Sequence, residues 1–382
     1  MREGPAPLTP ERILVVNAGS SSLKLSFLGG DDQTLASLGV DPWHGEGPTA
    51  EMAAFVASLD GVDAVGHRVV HGGGTFQAPV LIDDKVRAGI AGLTDLAPLH
   101  QPRALAGMAA TAALLPGVPA VACFDTAFHA TLPATAATYA LPAAWRERFG
   151  LRRYGFHGLS HGYASRRTAE LVGRPVQRLR VVTCHLGAGA SLAAVSAGRS
   201  NDTTMGFTPL EGLVMATRSG SVDPGMLVWL LRTGGLGVAE LSDGLESASG
   251  LAGLAGLPDG SGDMREVLAA ADQGDQDARL ALGVYLHRLR AEIAAMAAAM
   301  NGLDALAFTG GIGEHAPAVR AAAADGLGFL GVALDADANT AARGDADISA
   351  PGTAVRTVVI TAREDVEIAR QTRAVLQKGT RT

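Results

Sequence analysis

ILVVNAGSSSLKLSFL, Ile13 to Leu28, sets a polar loop, Asn-Ala-Gly-Ser-Ser-Ser, between two runs that each read as a buried β-strand. A tight hairpin turn needs only about two residues, so the loop is longer than chain reversal requires. Its composition presents backbone N–H groups and hydroxyls, which suit oxyanions. No Gly-Lys-Ser/Thr closes it, so it is not a P-loop. The pattern returns in RVVTCHLGAGASLAAV, Arg180 to Val195, again with a polar residue ending the first strand, Asn17 and then His185. A third strand ends in a glycine loop in ALAFTGGIGEHAPAVR, Ala305 to Arg320, and leads into a helical Ala/Arg stretch. Two related halves, each opening on a phosphate-binding hairpin, imply an α/β fold duplicated into two domains with an active-site cleft between them.

Length supports the duplication, because 382 residues exceed one ordinary core. The boundary is expected near Thr126, giving an N-terminal domain of residues 1–126 and a second domain of residues 127–364. The amphipathic tail VEIARQTRAVLQ, Val366–Gln377, is expected to cross back, so that residues 365–382 rejoin the first domain. The long run LGVYLHRLRAEIAAMAAAM repeats apolar positions at three and four, a helical period. A net charge of −7 argues against nucleic acid as a partner, so a bound anion must meet local Arg and His. Lysine is confined to Lys24, Lys85 and Lys378. Cys123 and Cys184 sit in apolar runs without metal or CxxC spacing, and the N-terminus carries no signal-like apolar segment, which together predict a cytoplasmic protein. Ala104–Phe124 is uncharged and long enough to span a bilayer, but Pro116 and Pro119 break it. It reads as helix, loop and buried strand, not membrane.

Five short segments carry chemistry. In GHRVVHGGG, Arg68 is either an ion-paired strand arginine or a fork aimed at a phosphoryl or carboxylate oxygen. In CFDTAFHATLP, Asp125 follows a buried strand, where ligands bind in open α/β sheets and where Mg²⁺ could take a carboxylate. RRYGFHGLSHGY places His157 and His161 at i, i+4; without a third ligand, a histidine donating to a transferring phosphoryl group is more economical than zinc. MGFTPLEGLVMATRSGSVDPG puts Arg218 in a Ser/Gly loop as a second anion clamp. In TAREDVEIAR, Glu364 and Asp365 read either as helix-start acids or as Mg²⁺ ligands. Jointly these segments supply what phosphoryl transfer by positioning and charge neutralisation requires.

Together with APLHQP and FTGGIGE, and in this order over nearly the whole chain, these segments resemble the acetate kinase family. That resemblance implies two ribonuclease-H-like, actin-like ATPase domains, a homodimer with its interface in the second domain, and reversible phosphoryl transfer from ATP to acetate with Mg²⁺ or Mn²⁺. It assigns Asn17, Ser20, Ser22 and Lys24 to the phosphate and metal region, with Glu364 as the metal-linked carboxylate. Arg68 and Arg218 would hold substrate and the phosphoryl group in flight. His157 would stabilise the transition state, Asp125 would stand near the reacting groups, and His100 and His185 would be further site histidines. Val70, Leu99, Phe156 and Pro209 would form the acyl-methyl pocket. Nucleotide contacts fall to His185, Gly187 and Gly189, to Asp263, Met264 and Arg265, and to Gly311, Ile312, Gly313 and Glu314, with ATP or ADP as the substrate. Ala188, Met264, His315 and Arg363 depart from the family pattern, and Ala188 implies weaker nucleotide-phosphate contact. A propionate kinase is the near alternative, and an actin-like ATPase switch the remote one.

Overall fold

Both glycine hairpins form. The computed structural model describes residues 10–19, 22–45 and 47–379. In it β1 (Ile13–Ala18) pairs antiparallel with β2 (Leu23–Leu28), from Ile13 opposite Leu28 to Ala18 opposite Leu23. The remaining strands are β3 (Thr34–Val40), β4 (Ala64–Val69), β5 (Val80–Leu81), β6 (Ala120–Phe124), β7 (Arg180–Leu186), β8 (Ala190–Ser196), β9 (Arg199–Thr203), β10 (Ala305–Thr309), β11 (Ala346–Asp347) and β12 (Arg356–Val359). The chain divides into two units. One takes residues up to Ala130, Phe156–Tyr163 and Arg363 onward; the other takes Thr131–Gly155 and Ala164–Ala362.

Each unit is built on a six-stranded sheet, in the order β3-β2-β1-β4-β6-β5 in the first and β9-β8-β7-β10-β12-β11 in the second. In both, two antiparallel strands lead into three parallel ones, and a short antiparallel strand closes the far edge. The same path is written twice, the structural counterpart of the repeated hairpin.

Continuous apolar runs arise where both faces of a sheet are covered. Along β1, Leu14, Val16 and Ala18 pack with Trp43, Met52 and Ala110, while Ile13 and Val15 point the other way onto Val121, Cys123, Ile368 and Ala369. The second set includes the C-terminal helix, Glu364–Gly379, which lies on β1, β4 and β6. Its close approach explains Gly66 on β4: a Cβ there would stand 2.6 Å from both Ile368 Cγ2 and Thr372 Oγ1. In the second unit the helix Gln276–Ala299 buries Ala278, Ala281, Tyr285, Leu289, Ile293 and Met296, the three- and four-residue spacing of one apolar face.

The uncharged run resolves into helix Gln101–Leu114 and strand β6, and no helix among the described residues is long and apolar enough to cross a membrane. One local expectation changes. The GGIGEH segment after β10 is not a loop but the short helix Gly310–His315. Gly310, at φ +78°, lets the chain turn directly from strand to helix where a Cβ would sit 2.8 Å from the Leu186 carbonyl.

His67, beside Arg68 on β4 but facing the opposite side of the sheet, is buried and its Nε2 lies 3.3 Å from Thr111 Oγ1. Burial pushes its imidazole down to about 3. An unfolded chain binds that proton near the ordinary histidine value of about 6.5, so unfolding takes up a proton between the two values. Stability is therefore expected to be flat above pH ~6.5 and to fall by about 1 kcal/mol per pH unit below it from this group. Urea titrations from pH 7 to 4.5 on the wild type and His67→Gln check this, since only the difference between them reports His67. Parallel slopes would overturn it.

Candidate active site

Three parallel strands of the first unit deliver their carboxyl ends to one place. Asn17 is the penultimate residue of β1, Arg68 the penultimate residue of β4, and Asp125 follows β6 directly. Arg68 Nε donates to both carboxylate oxygens of Asp125 at 3.2 Å, Nη2 donates to Oδ2 at 2.6 Å, and Nη1 donates to Asn17 Oδ1 at 3.1 Å. Glu364, first residue of the C-terminal helix, brings Oε2 to 4.0 Å from Arg68 Nε. The Asp125 side chain is 1% exposed, Arg68 17% and Glu364 19%, so the Asp125 carboxylate is fully buried while the guanidinium keeps a reachable rim. Burial pulls the Arg68 pKa down, but the charges of Asp125 and Glu364 and the hydrogen bonds that Arg68 donates to Asp125 outweigh it and hold it raised. Arg68 is thus both ion-paired and oriented, and these contacts do not exhaust the five N–H donors of a guanidinium.

The backbone behind this group is tightly packed. The N–H of Gly158 donates to the Asp125 carbonyl at 3.0 Å, and a Cβ on Gly158 would fall 2.0 Å from that oxygen. Gly158 opens the helix Gly158–Leu171, and the residue before it, His157, is held at φ +55°. A non-glycine residue in the left-handed region costs conformational energy and is found preferentially at functional sites. The rings of His157 and His161 are 6.5 Å apart, and His161 stands edge-on to the buried His129 at 5.7 Å. His129 Nε2 lies 3.0 Å from the Phe156 carbonyl oxygen.

Val70 and Phe156 are buried, whereas Leu99 is 60% exposed near the start of helix Gln101–Leu114, where His100 is the preceding residue. Lys24 is not a loop residue: it lies on β2, exposed and opposite Asn17. Ser22 precedes that strand, and Ser20 lies outside the described residues.

The second unit gathers the remaining assignments. His185 is the penultimate residue of β7, beside Ser191 and Thr309, and Gly187 and Gly189 close the tip through an N–H to carbonyl bond of 3.1 Å. The tip residue Ala188 offers its carbonyl to the Ala216 N–H at 3.1 Å. That bond ties the hairpin tip to the segment carrying Arg218. Arg218 itself forms no ion pair among the described residues, and its Nη1 reaches Met215 Sδ at 4.0 Å. Asp263 caps helix Met264–Asp272 and binds Arg265, whose hydrogen bonds hold its carboxyl down to about 2. Met264 is buried, while Arg265 is exposed. Glu314 Oε1 accepts from the Ala362 N–H at 3.0 Å, and the carbonyls of Gly313 and Glu314 accept from the buried Arg320 at 2.9 and 2.8 Å. The glycine helix is therefore clamped at its carboxyl end.

Magnesium prefers oxygen ligands and is commonly held by one or two carboxylates with phosphate and water completing the shell. Glu364 fits that demand. Asn17 does so only in part, because its side-chain oxygen already accepts from Arg68. No three His, Cys, Asp or Glu side chains cluster as a metal cage among the described residues. Sequence reading passed over Tyr139, Arg153 and Glu211, which bind one another in the second unit. Glu211 and Arg153 lie inside motifs already quoted, but ion pairing across 58 residues leaves no local signature.

Comparison with known proteins identifies the family. The model of the acetokinase family matches residues 49–370. An acetate kinase from Synechococcus sp. (strain JA-2-3B'a(2-13)) is 50% identical over 343 residues, covering 90% of this chain and 82% of its own. The crystal structure of Porphyromonas gingivalis acetate kinase superposes with a TM-score of 0.88 at 37% identity, covering 96% of this chain and 100% of its own. A propionate kinase from Francisella tularensis subsp. tularensis SCHU S4 gives 0.86 at 34% identity, with the same coverage. With its motifs, its doubled sheet and most of its length matched, the chain belongs to the acetokinase family.

Proposed function

We propose that the protein catalyses the reversible transfer of the ATP γ-phosphoryl group to acetate, giving acetyl phosphate and ADP by direct in-line displacement. The observation that carries this reading is the cluster of Arg68, Asp125, Asn17 and Glu364 at the carboxyl ends of β1, β4 and β6. A carboxylate oxygen of acetate forms the new bond to phosphorus while the bond to the β,γ-bridging oxygen breaks and ADP departs. Acetate is ionised at neutral pH, so no strong general base is required.

Arg68, oriented by Asp125 and Asn17, places a fixed cation beside the acid and the phosphoryl oxygens. Arg218 and His157 supply further donors to the charge that develops there. Val70, Leu99, Phe156 and Pro209 contact the acyl methyl group. Ser20, Ser22, Lys24, His185, Gly187 and Gly189 take phosphate oxygens. Asp263, Met264, Arg265 and Gly311–Glu314 take the nucleoside. Glu364, with Asn17, would hold Mg²⁺ or Mn²⁺, which when bound neutralises charge on the phosphates.

We also read the protein as a cytoplasmic homodimer. Helix Pro224–Arg232 supports the second point: none of its residues is buried, and Trp229 is 55% exposed between Val228 and Leu231. The two buried free thiols, Cys123 and Cys184, accord with a reducing compartment.

Hydroxylamine trapping tests the reaction, with purified protein, Mg·ATP and acetate, propionate or butyrate in parallel. Acyl hydroxamate with the highest kcat/KM on acetate is expected. A preference for propionate would keep the mechanism and move the protein toward its structural relative from Francisella. ADP release without hydroxamate would overturn the reading.

A further inference from the structure

We infer that Tyr139, Arg153 and Glu211 form a clamp that positions Pro209 and so sets which acid the protein accepts. The clamp lies wholly within the second unit, and none of its members is assigned to substrate. It rests on the reading of Pro209 as an acyl contact.

The segment Met205–Glu211 has no regular secondary structure, yet it is fixed at almost every residue. Arg153 Nη1 donates to the carbonyls of Thr204 and Met205, both at 3.1 Å, and Nη2 donates to Glu211 Oε1 at 2.7 Å. Tyr139 Oη donates to the other carboxylate oxygen of Glu211 and accepts from the Phe207 N–H at 2.9 Å. The Gly206 carbonyl takes the N–H groups of Tyr154 and Gly155 at 3.0 and 3.2 Å, and the Tyr154 ring lies 5.9 Å from that of Phe207. Glu211 thus closes a ring: both its oxygens are engaged, one by the tyrosine and one by the arginine that hold the start of the same segment. Arg153 also lies 5.5 Å over the Tyr139 ring.

Two features show that the ring is tight. A Cβ on Gly206 would fall 1.7 Å from Glu211 Oε2 and 2.0 Å from Tyr139 Oη, so only glycine leaves space for the pair. Burial, reinforced by the Glu211 hydrogen bond, holds the Tyr139 phenol above its usual pKa, so it remains a donor. What the ring leaves outside is the short arch Thr208-Pro209-Leu210. Fixing both feet of an arch fixes its crest, and pocket walls discriminate acids only when they cannot retreat: one methylene is worth about 10- to 200-fold in a well-defined pocket and less in a yielding one.

The test measures kcat and KM for acetate, propionate and butyrate, and KM for Mg·ATP, in the wild type, Tyr139→Phe, Glu211→Gln and Gly206→Ala. Tyr139→Phe removes the donor to Glu211 and the acceptor for Phe207. It is expected to raise the acetate KM by roughly tenfold with kcat within about threefold, the mark of lost uniform binding, and to cut the acetate-over-propionate preference by roughly threefold or more. Mg·ATP KM stays within about twofold. Gly206→Ala, which pushes the same pair apart by another route, is expected to repeat the pattern, and Glu211→Gln, which keeps a bridging side chain, to show it more weakly.

Unchanged acid KM and selectivity in both Tyr139→Phe and Gly206→Ala would overturn the clamp and leave the proposed reaction standing. So would a lower kcat with acid KM and nucleotide KM raised alike and a lower Tm, because the ring would then support the unit as a whole. A wild type that makes no acyl phosphate from any acid would remove the reaction and the clamp together.

Discussion

Arg68→Ala is expected to lower folding stability by about 3–5 kcal/mol and acyl phosphate formation by about a hundred- to a thousand-fold, two losses with separate causes. The stability loss comes from Asp125. Its carboxylate is 1% exposed and its side-chain partner is the guanidinium, so removing Arg68 strands a buried charge with a second carboxylate, Glu364, close by. The activity loss comes from the missing fork. Arg68→Lys separates the two, since lysine keeps a cation for Asp125 but cannot donate from two sides at once. It is expected to recover most of the stability and little of the rate. Arg68→Met combined with Asp125→Leu goes further, because a buried pair replaced by apolar groups is often near neutral in stability. Urea unfolding and hydroxamate formation on the three variants and the wild type check this. Activity above about a tenth of wild type in Arg68→Met/Asp125→Leu would end the role given to Arg68.

The doubled hairpin was legible because both faces of β1 and β7 are covered, which turns the strands into uninterrupted apolar runs that stand out from any background. The long helix Gln276–Ala299 was legible for a similar reason, its buried residues recurring at three and four. The glycine run after β10 was misread as a loop because glycine weakens helix propensity, while the actual determinant is non-local: Arg320 binds the carbonyls of Gly313 and Glu314 and so secures the end of that short helix. Arg68 and Asp125 were visible as motif residues, but their bond was not. Adjacent parallel strands bring them together across 57 positions, and the sequence alone left Arg68 open between an ion-paired arginine and an anion clamp. The structure gives it a paired carboxylate with donors to spare, so the two alternatives were not exclusive. Glu211 was passed over for a similar reason: it and Arg153 both stand in quoted motifs, but their bond spans 58 positions and Tyr139, the third member, lies outside every quoted motif.

Arg218→Ala is expected to lose about a hundred- to a thousand-fold in acyl phosphate formation with little change in folding stability, and that contrast with Arg68 is the sharper test. Both arginines are assigned to the same charge, so their contributions to rate should be of the same order. Their structural surroundings differ. Arg68 is wedged between buried carboxylate and amide, whereas Arg218 sits half-buried with a long contact to the Met215 sulfur and no ion pair among the described residues. A cation without a counter-ion in its own unit is poorly explained by folding stability, because truncating it strands no buried partner. Its retention in a segment held by Ala188–Ala216 and Met215–Arg218 backbone bonds is explained if its partner is an anionic substrate. Unfolding free energies within about 0.5 kcal/mol of wild type, with kcat reduced and KM for acetate raised, are the expected result. Activity within threefold of wild type would remove Arg218 from the chemistry. Equal destabilisation of the two alanine variants would instead mean that Arg218, like Arg68, holds the fold together, and the division of labour between the two arginines would have to be drawn differently.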